Sequence, residues 1–441
     1  MRTLLAVVAA ALLVPPPSAV LIPYDDAKPI LDANGRNLSA AEWPVWAATR
    51  NAEIRARLAQ GDEDSIVNLW LYGTSFTRRP RVTDRTAVRL AKPDAVRDLL
   101  LERLDDFVAA LASPGTNERL QFARDLVTRR GIDLETAAGR AKAEEYLVGI
   151  RERSIAEHER FSRAAASPSA YATLYSDRGL STDTRLTASF AIDKALGALA
   201  ASGRLAAGRV TQIAIVGPGL DFTDKAEGYD FYPQQTIQPF AIADSLVRLR
   251  LAPAGDLTIT TLDLSPRVNR HLDAAARRAA AGSPYVIQLP LARDEPKHEW
   301  HPDLVAYWRQ FGSAIGTVVP AAPVPPVAGD VRVRAVAVRP SIARAIAARD
   351  VNIILERLDP LPERVRFDLV VATNILVYYD RFEQSLALAN IATMLKPGGV
   401  FLTNYDVTPL PPMDALPDHT TSVFFDKQQN GDTVFAYRKK K

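Results

Sequence analysis

Residues 211–219, Thr-Gln-Ile-Ala-Ile-Val-Gly-Pro-Gly, constrain the fold more than any other stretch of the chain. The short apolar and β-branched run at 213–216 is typical of a buried parallel strand. It ends in a Gly-Pro-Gly turn, where residues without a Cβ allow a sharp bend and close approach of a ligand. A second strand-like run, residues 257–262, ends on Asp263. A glycine turn after one strand and an acid after the next predict a nucleoside-binding α/β sheet.

The composition is that of a globular protein and excludes several functions. The chain of 441 residues is long enough for more than one domain, and its hydrophobic and charged fractions, 47% and 24%, are ordinary. A net charge of +3 with scattered basic residues does not indicate nucleic-acid binding. The absence of cysteine excludes disulfides, thiolate catalysis and cysteine-bound zinc, and indicates no particular compartment.

The N-terminus has the pattern of a secretory signal. Arg2 precedes an apolar run at residues 4–14, and prolines and small residues follow up to Ala19. The run is too short to span a bilayer as a mature helix. Pro17 suits cleavage after Ala19 poorly, so an uncleaved anchor and a buried helix stay open as alternatives. We expect residues 1–19 to be a signal-like segment, and the protein to be exported or membrane-anchored through it.

The N-terminal half is predicted to be helical after a short linker. Residues 20–40, rich in Pro, Asp, Asn and Gly, are expected to form a linker or extended arm. A helical domain should follow over residues 41–204. Residues 65–77, dense in aromatic and hydroxyl side chains, are interpreted as a core helix entering a turn rather than as a binding site. Apolar residues at helical spacing predict further helices over 94–111, 117–129, 134–166 and 189–202.

Strands and helices alternate in the second half, residues 205–441. Strands are predicted over 331–338, 351–355, 367–372 and 400–404, and helices over 266–281, 341–349 and 381–395. Residues 282–330 are interpreted as an irregular insertion that includes a Pro/Ala-rich run. A terminal hairpin should form around Asn430-Gly431. This order predicts an open, mostly parallel α/β sheet with an antiparallel strand near one edge.

Residues 211–440 resemble the class I S-adenosylmethionine-dependent methyltransferases. The resemblance rests on motifs in the expected order: the turn at 216–219, Asp263, the strand Phe-Asp-Leu-Val-Val-Ala-Thr-Asn at 367–374, and Leu-Lys-Pro-Gly-Gly-Val-Phe-Leu at 395–402. Such enzymes end in an antiparallel hairpin, whereas dinucleotide dehydrogenases usually continue with parallel crossovers. The hairpin and the missing third loop glycine therefore disfavour a nicotinamide-dependent oxidoreductase. The resemblance implies a Rossmann-like sheet and S-adenosylmethionine as the cofactor.

Within this class the sequence is most similar to the chemotaxis receptor glutamate methyltransferases. Asn-Ile-Leu-Val-Tyr-Tyr-Asp at 374–380 resembles that family's Asn-Val-Leu-Ile-Tyr-Phe-Asp, and Gln-Pro-Phe-Ala-Ile-Ala at 238–243 resembles its Glu-Pro-Tyr-Ser-Leu-Ala. Gln238 replaces the family's acid, and Ala372-Thr373 replaces its Cys-Arg. The family's small helical N-terminal domain is not recognisable in this chain. The resemblance therefore implies the cofactor more strongly than the acceptor, which is a small molecule or a protein carboxylate.

The resemblance also implies a set of cofactor-binding residues, namely Gly217, Pro218, Gly219, Asp263, Leu264, Leu358, Asp359 and Asn374. Asp263 would accept hydrogen bonds from both ribose hydroxyls, each worth roughly 1.5–3 kcal/mol when charge-assisted. Its alternative role, capping the next helix, suits Ser265 better by position. Leu358 and Asp359 would lie near the adenine, and Asn374 would face the transferred methyl group.

Candidate substrate residues lie in an aromatic segment after the glycine turn. Residues 228–235 contain Tyr229, Phe231 and Tyr232, which as a plain surface loop would expose much apolar area. We expect this segment to form a lid or substrate wall, with Tyr378 lining the acceptor pocket. No catalytic acid, base or nucleophile stands out, because methyl transfer mainly requires in-line positioning of the acceptor. No metal is predicted, since His298 and His301 lack a third ligand at metal spacing.

Two functions follow from these patterns. One is a methyltransferase acting on a small molecule or a protein, without nucleic acid, and touching a membrane only through an uncleaved N-terminus. The other is an exported, catalytically silent binding or scaffold protein, because S-adenosylmethionine is made in the cytoplasm. Convergence of Asp263 and Asn374 on an open cavity beside Gly217 would favour the enzyme. Filling of that cavity by residues 229–235 would favour the silent protein.

Overall fold

The computed structural model describes residues 17–82, 93–164, 178–184, 186–222, 229–292 and 299–441. Most of the signal-like segment and His298 lie outside these ranges, so the predictions made for them stay predictions. Within the described ranges no helix combines the length and the apolar character needed to cross a membrane.

The described elements follow the predicted change from helical to alternating structure. The helices are α1 (Tyr24–Ala33), α2 (Trp43–Tyr72), α3 (Pro93–Ala112), α4 (Glu118–Thr128), α5 (Ala137–Ala164), α6 (Leu186–Ala201), α7 (Gln238–Arg248), α8 (Pro266–Ala280), α9 (Pro302–Gln310), α10 (Pro340–Arg344) and α11 (Arg381–Met394). The strands are β1 (Ser18–Leu21), β2 (Gln212–Val216), β3 (Thr258–Asp263), β4 (Tyr285–Ala292), β5 (Gly316–Val319), β6 (Val331–Val338), β7 (Ile346–Asp350), β8 (Glu356–Asp359), β9 (Phe367–Ala372), β10 (Leu395–Thr403), β11 (Met413–Phe424) and β12 (Gly431–Lys439).

The central sheet has seven strands in the order β7-β3-β2-β9-β10-β12-β11. The strands from β7 to β10 are parallel, β12 is antiparallel to β10, and β11 pairs with β12 as the terminal hairpin. Side chains alternate between the two faces, so that Ile213 and Ile215 enter one core while Ala214 and Val216 enter the other. Both faces are covered, as a mainly parallel sheet requires. The predicted fold class, a Rossmann-like sheet with a terminal hairpin after a helical region, is confirmed.

The helical region is joined to the sheet by one long helix. Helix α2 has 30 residues, and Ile54 in its first half packs into the core on one face of the sheet. Ile66 in its second half packs into a separate core built with α3, α4 and α5. Phe190 of α6 lies in the core on the other face of the sheet. Helix α6 therefore packs with the sheet, although the predicted boundary at residue 204 assigns it to the helical domain.

The predicted linker at residues 20–40 is wrong for its first part. Strand β1 pairs antiparallel with β8, and helix α1 packs on α11. Ile22 is fully buried; its N–H donates to the Leu355 carbonyl at 2.8 Å, and its own carbonyl accepts from Trp43 Nε1 at 2.9 Å. The polar composition of residues 20–40 did not indicate that the segment packs on the sheet domain, because only a few of its apolar residues enter the core.

The predicted irregular insertion at 282–330 is also wrong. Strands β4, β5 and β6 form a separate antiparallel sheet in the order β4-β6-β5, accompanied by α9. Alternating residues of β4, Ile287 and Leu289, are buried in the core shared with the central sheet. The insertion is therefore an ordered layer, and β6 does not join the central sheet.

The predicted helix at 341–349 and strand at 351–355 are displaced. Helix α10 ends at Arg344, and the next residues form β7, which pairs in parallel with β3 from Ile346 to Asp350. The alanine-rich sequence favours a helix locally, but pairing with a buried neighbouring strand overrides that preference. The third parallel strand therefore ends at Asp350, earlier than expected.

Candidate functional site

A cavity lies at the carboxyl ends of β2, β3, β7 and β9. It is lined by Leu58, Leu180, Ser181, Thr182, Asp183, Thr184, Val216, Gly217, Gly219, Gln238, Leu262, Asp263, Leu264, Val351, Ile353, Thr373, Asn374, Ile375, Tyr378 and Tyr379. In open α/β sheets ligands bind at this edge, beside the point where the strand order reverses.

The glycine turn forms one side of the cavity. Gly217 and Gly219 have φ angles of 62° and 66°, which favour glycine. A Cβ on Gly219 would lie 2.5 Å from the Thr182 carbonyl oxygen, and one on Gly217 would overlap the Ile375 side chain. Both glycines line the cavity, whereas Pro218 does not. The turn therefore needs its glycines for packing against its own chain as well as for space beside a ligand.

Residues 181–184 form a wall of the cavity that the sequence analysis missed. Thr182 accepts a hydrogen bond from the Leu220 N–H at 2.7 Å, and the Thr184 N–H donates to the Leu220 carbonyl at 3.2 Å. These bonds hold the segment against the glycine turn. Its density of hydroxyl and acidic side chains was the available signal, and no known motif accompanies it.

Asp263 is the last residue of β3 and lines the cavity. It accepts from the Ser265 N–H at 2.7 Å and from the Gly219 N–H. Burial raises the pKa of Asp263 to about 7, although these bonds and the charge of Arg267 act in the opposite direction. Ser265 caps α8 by accepting from the Val268 N–H at 3.4 Å. The capping role is therefore already filled by Ser265. A carboxylate that accepts two N–H groups still has lone pairs with which to bind a ligand.

Arg267 supports this region from behind the wall. Its Nη2 donates to Thr182 Oγ1 at 2.6 Å and to Asp62 of α2 at 3.2 Å. The guanidinium lies 4.1 Å from the ring centre of Phe122 and 4.7 Å from that of Phe222. One buried cation thus connects α8, the cavity wall and the helical region.

Asn374 lies just beyond the end of β9 and is exposed at the cavity. Its φ angle is 58°, a left-handed conformation that Asn adopts more readily than most residues. Its N–H donates to Asn404 Oδ1 at 2.7 Å, and Asn404 Nδ2 donates to Asn374 Oδ1 at 2.7 Å. Asn404 Nδ2 also contacts Asp432 Oδ2 at 3.2 Å. The position of Asn374 is therefore fixed from a neighbouring strand.

Gln238 and Thr373 connect two sides of the cavity. The side-chain amide of Gln238, at the start of α7, donates to Thr373 Oγ1 at 2.6 Å. A neutral hydrogen bond therefore joins the start of α7 to the residue that follows β9. Leu264 and Tyr378 also line the cavity, as does the buried Tyr379.

Leu358 and Asp359 lie outside the cavity lining, contrary to expectation. They belong to β8, where Leu358 pairs with Ala19 and Asp359 pairs with Ser18. Because the third parallel strand ends at Asp350, the adjacent residues Val351 and Ile353 line the cavity instead. The error therefore follows directly from the displaced strand.

The aromatic segment is not a wall or lid of the cavity. Tyr229 and Tyr232 are buried and pack with Phe231 in edge-to-face contacts, and none of the three lines the cavity. The Asp230 carboxylate accepts from the backbone and hydroxyl groups of Thr74 and Ser75. These bonds attach the segment to the loop after α2. The apolar area that suggested a lid is buried in a small core of its own.

The charge of the cavity wall suits a cationic ligand. Asp183 and Asp263 line the cavity, and no Lys, Arg or His from the described ranges does so. In their ionised forms, two carboxyl groups in a partly enclosed site favour a positive charge nearby. This donor set fits S-adenosylmethionine, which carries hydroxyl groups and a sulfonium.

No family model matches the sequence, and no curated protein matches it. Among solved structures the chain is similar to the N-methyltransferase NodS from Bradyrhizobium japonicum, at 12% identity over 56% of this chain and 95% of that chain, with a TM-score of 0.27. It is also similar to magnesium protoporphyrin IX methyltransferase from Synechocystis with bound S-adenosylmethionine, at 8% identity over 64% and 96%, with a TM-score of 0.28. Likeness this low carries no argument about function, and the fold assignment rests on the strand order.

Proposed function

We propose that the protein is an S-adenosylmethionine-dependent methyltransferase whose cofactor binds in the cavity beside Gly217. One observation carries the proposal. The glycine turn, Asp263 and Asn374 are far apart in the sequence, yet all three line a single cavity at the carboxyl edge of the sheet. A cavity bounded by these groups at the carboxyl edge is where open α/β sheets bind nucleoside cofactors.

Each group has a distinct role in this proposal. Asp263 accepts hydrogen bonds from the ribose hydroxyls, and the apolar side chains of Leu264, Val351 and Ile353 enclose the adenine. The glycine turn leaves room for the methionine portion. S-adenosylmethionine supplies, when bound, an electrophilic methyl group on a positively charged sulfur. The acidic wall favours that charge, and Asn374 faces the methyl group that is transferred.

Catalysis in this proposal depends on positioning. No triad of nucleophile, base and acid lines the cavity among the described residues. Holding an acceptor in line with the methyl group can account for much of the rate enhancement. The resemblance at residues 374–380 to chemotaxis receptor methyltransferases supports a protein carboxylate as one acceptor class, and a small molecule is the other.

Calorimetric titration with S-adenosylhomocysteine tests the proposal. We expect binding to the wild type and at least a tenfold loss in Asp263→Ala, equivalent to about 1.4 kcal/mol for the lost ribose contacts. Asp359→Ala is the matched control, because this acid lies in β8 outside the cavity and should leave affinity unchanged. Absence of binding to the intact wild type would overturn the proposal.

The second candidate is an exported, catalytically silent binding or scaffold protein, motivated by the signal-like residues 1–19. Residues 229–235 do not fill the cavity, so this candidate lacks the structural feature that would have favoured it. A cut after Ala19 would also divide β1. Cell fractionation with N-terminal sequencing distinguishes the two, since cleavage near Ala19 and an exported location would count against a working methyltransferase.

A further inference from the structure

The amide of Asn404 has only one chemically acceptable orientation. One of its terminal atoms faces the backbone N–H of Asn374 at 2.7 Å. A backbone N–H can only donate, so this atom of Asn404 must be its oxygen. The other terminal atom must then be the nitrogen. Asn404 Nδ2 also lies 3.2 Å from the Asp432 carboxylate, which accepts hydrogen bonds and thus requires the same orientation.

The orientation of Asn404 determines that of Asn374. Asn404 Nδ2 lies 2.7 Å from the terminal atom of the Asn374 side chain that faces it. Two amide nitrogens at that distance would be two donors facing each other, so the atom on Asn374 must be its oxygen. The oxygen of Asn374 is therefore engaged with Asn404. The group that Asn374 has left for a ligand is its NH₂, which has no bonded partner among the described residues.

We propose that Asn404 and Asp432 are positioning residues that make Asn374 a pure hydrogen-bond donor toward the cavity, and that the nucleophile of the methyl acceptor is an oxygen rather than an amine nitrogen. This inference rests on the proposed function, in which Asn374 lies beside the reacting group. An attacking amine uses its single lone pair on the methyl carbon and can present only N–H groups to Asn374. An oxygen nucleophile keeps a further lone pair that accepts from the Asn374 amide.

Two cofactor analogues test the inference without knowledge of the acceptor. Sinefungin carries a primary amine at the position of the transferred methyl group, whereas S-adenosylhomocysteine carries nothing there. Because the amine and the Asn374 amide are both donors, we expect the wild type to bind S-adenosylhomocysteine at least as tightly as sinefungin. In Asn374→Asp the new carboxylate accepts from the amine. The affinity ratio should then shift about tenfold or more toward sinefungin, as one charge-assisted bond allows.

Variants of the positioning residues separate this role from a structural one. Asn404→Ala frees the Asn374 amide to turn its oxygen outward, so the ratio should shift several-fold toward sinefungin. Asp432→Asn still offers an oxygen to Asn404 and should keep the wild-type ratio. A wild type that prefers sinefungin tenfold, or an unchanged ratio in both Asn374→Asp and Asn404→Ala, overturns the inference alone. Failure of the wild type to bind S-adenosylhomocysteine overturns the proposed function and the inference with it.

Discussion

The carbonyl oxygen of Thr182 occupies the space that a side chain on Gly219 would need, since a Cβ there would lie 2.5 Å from it. The same oxygen accepts the Leu220 N–H at 2.7 Å. The cavity wall and the glycine turn are therefore in direct backbone contact. A change on one side must move the other, and both sides line the cavity.

Gly219→Ala should accordingly damage binding more than stability alone explains. The matched control is Gly208→Ala, because Gly208 has a similar φ of 68° but nothing within 4 Å of its added Cβ. Both variants should lose about 1–2 kcal/mol from the left-handed backbone. Only Gly219→Ala should also displace the cavity wall at Thr182. It should therefore weaken the binding of S-adenosylhomocysteine at least tenfold. Thermal melting and calorimetry measure both effects, and equal losses of affinity would contradict the expectation.

Binding of S-adenosylhomocysteine should strengthen as the pH rises toward neutrality. The pKa of Asp263 in the free protein is about 7, and hydroxyl donors of the ligand favour the ionised form, so binding lowers that pKa and releases a proton. Affinity should therefore rise up to about pH 7 and level off above it. Asp263→Asn should remove this pH dependence. Calorimetry from pH 5.5 to about 8.5 checks the profile, which must be flat if Asp263 does not contact the ligand.

The same carboxyl group should make the free protein less stable as the pH rises, whereas it strengthens ligand binding. Its folded-state pKa of about 7 is raised above the ordinary 3.8, so the unfolded chain ionises first as the pH rises. The contribution of Asp263 to the free energy of unfolding should fall between about pH 4 and pH 7 and stay constant above. Denaturant titrations of wild type and Asp263→Asn give this contribution as a difference. The idea fails if the difference does not change with pH across that window.

Arg267→Met should destabilise the protein and alter the titration of Asp263. The substitution leaves Asp62 without the cation that contacts it, a loss of about 3–5 kcal/mol for a broken buried pair. Because Arg267 lowers the pKa of Asp263, its removal should move the pH profile of ligand binding upward. Arg270→Met, on the exposed side of the same helix, is the control and should stay within about 0.5 kcal/mol. An unmoved pH profile in Arg267→Met would exclude the electrostatic role.

Ile22→Ala should cost about 2–4 kcal/mol of unfolding free energy, because Ile22 is 0% exposed in the core beneath the sheet. Val45→Ala is the control, since Val45 on α2 is 68% exposed. Chemical denaturation of both variants measures the difference. Equal midpoints would mean that the segment around β1 does not contribute to the folded body.

The sequence allowed prediction of the features that depend on local signals. The turn at Gly217, the acid Asp263 and the polar end of β9 at Asn374 each follow a strongly apolar strand, and all three line the cavity. Features that depend on distant pairing were not predictable in this way. The alanines of β7 are typical of a helix, so the sequence predicts the strand later in the chain, at 351–355. For that reason Asp359 was assigned to the cofactor site.

Nonlocal hydrogen bonds explain the other errors. The aromatic segment was expected at the cavity because exposed rings need cover. Its position is set instead by Asp230, which accepts from Thr74 and Ser75, residues distant in the sequence. Residues 181–184 carry no motif and reach the cavity through bonds to Leu220. Such partners cannot be identified from spacing alone.

Helix α2 is one continuous helix that is shared by two hydrophobic cores. Its 30 residues span about 45 Å at 1.5 Å per residue, with one end embedded in the sheet core and the other in the helical core. Cleavage within α2 would not release two intact domains, because the helix itself forms part of both cores. Leu58 of this helix lines the cavity, so this part of the wall is continuous with both cores. Opening of the cavity by a hinge within this helix would require breaking its backbone hydrogen bonds.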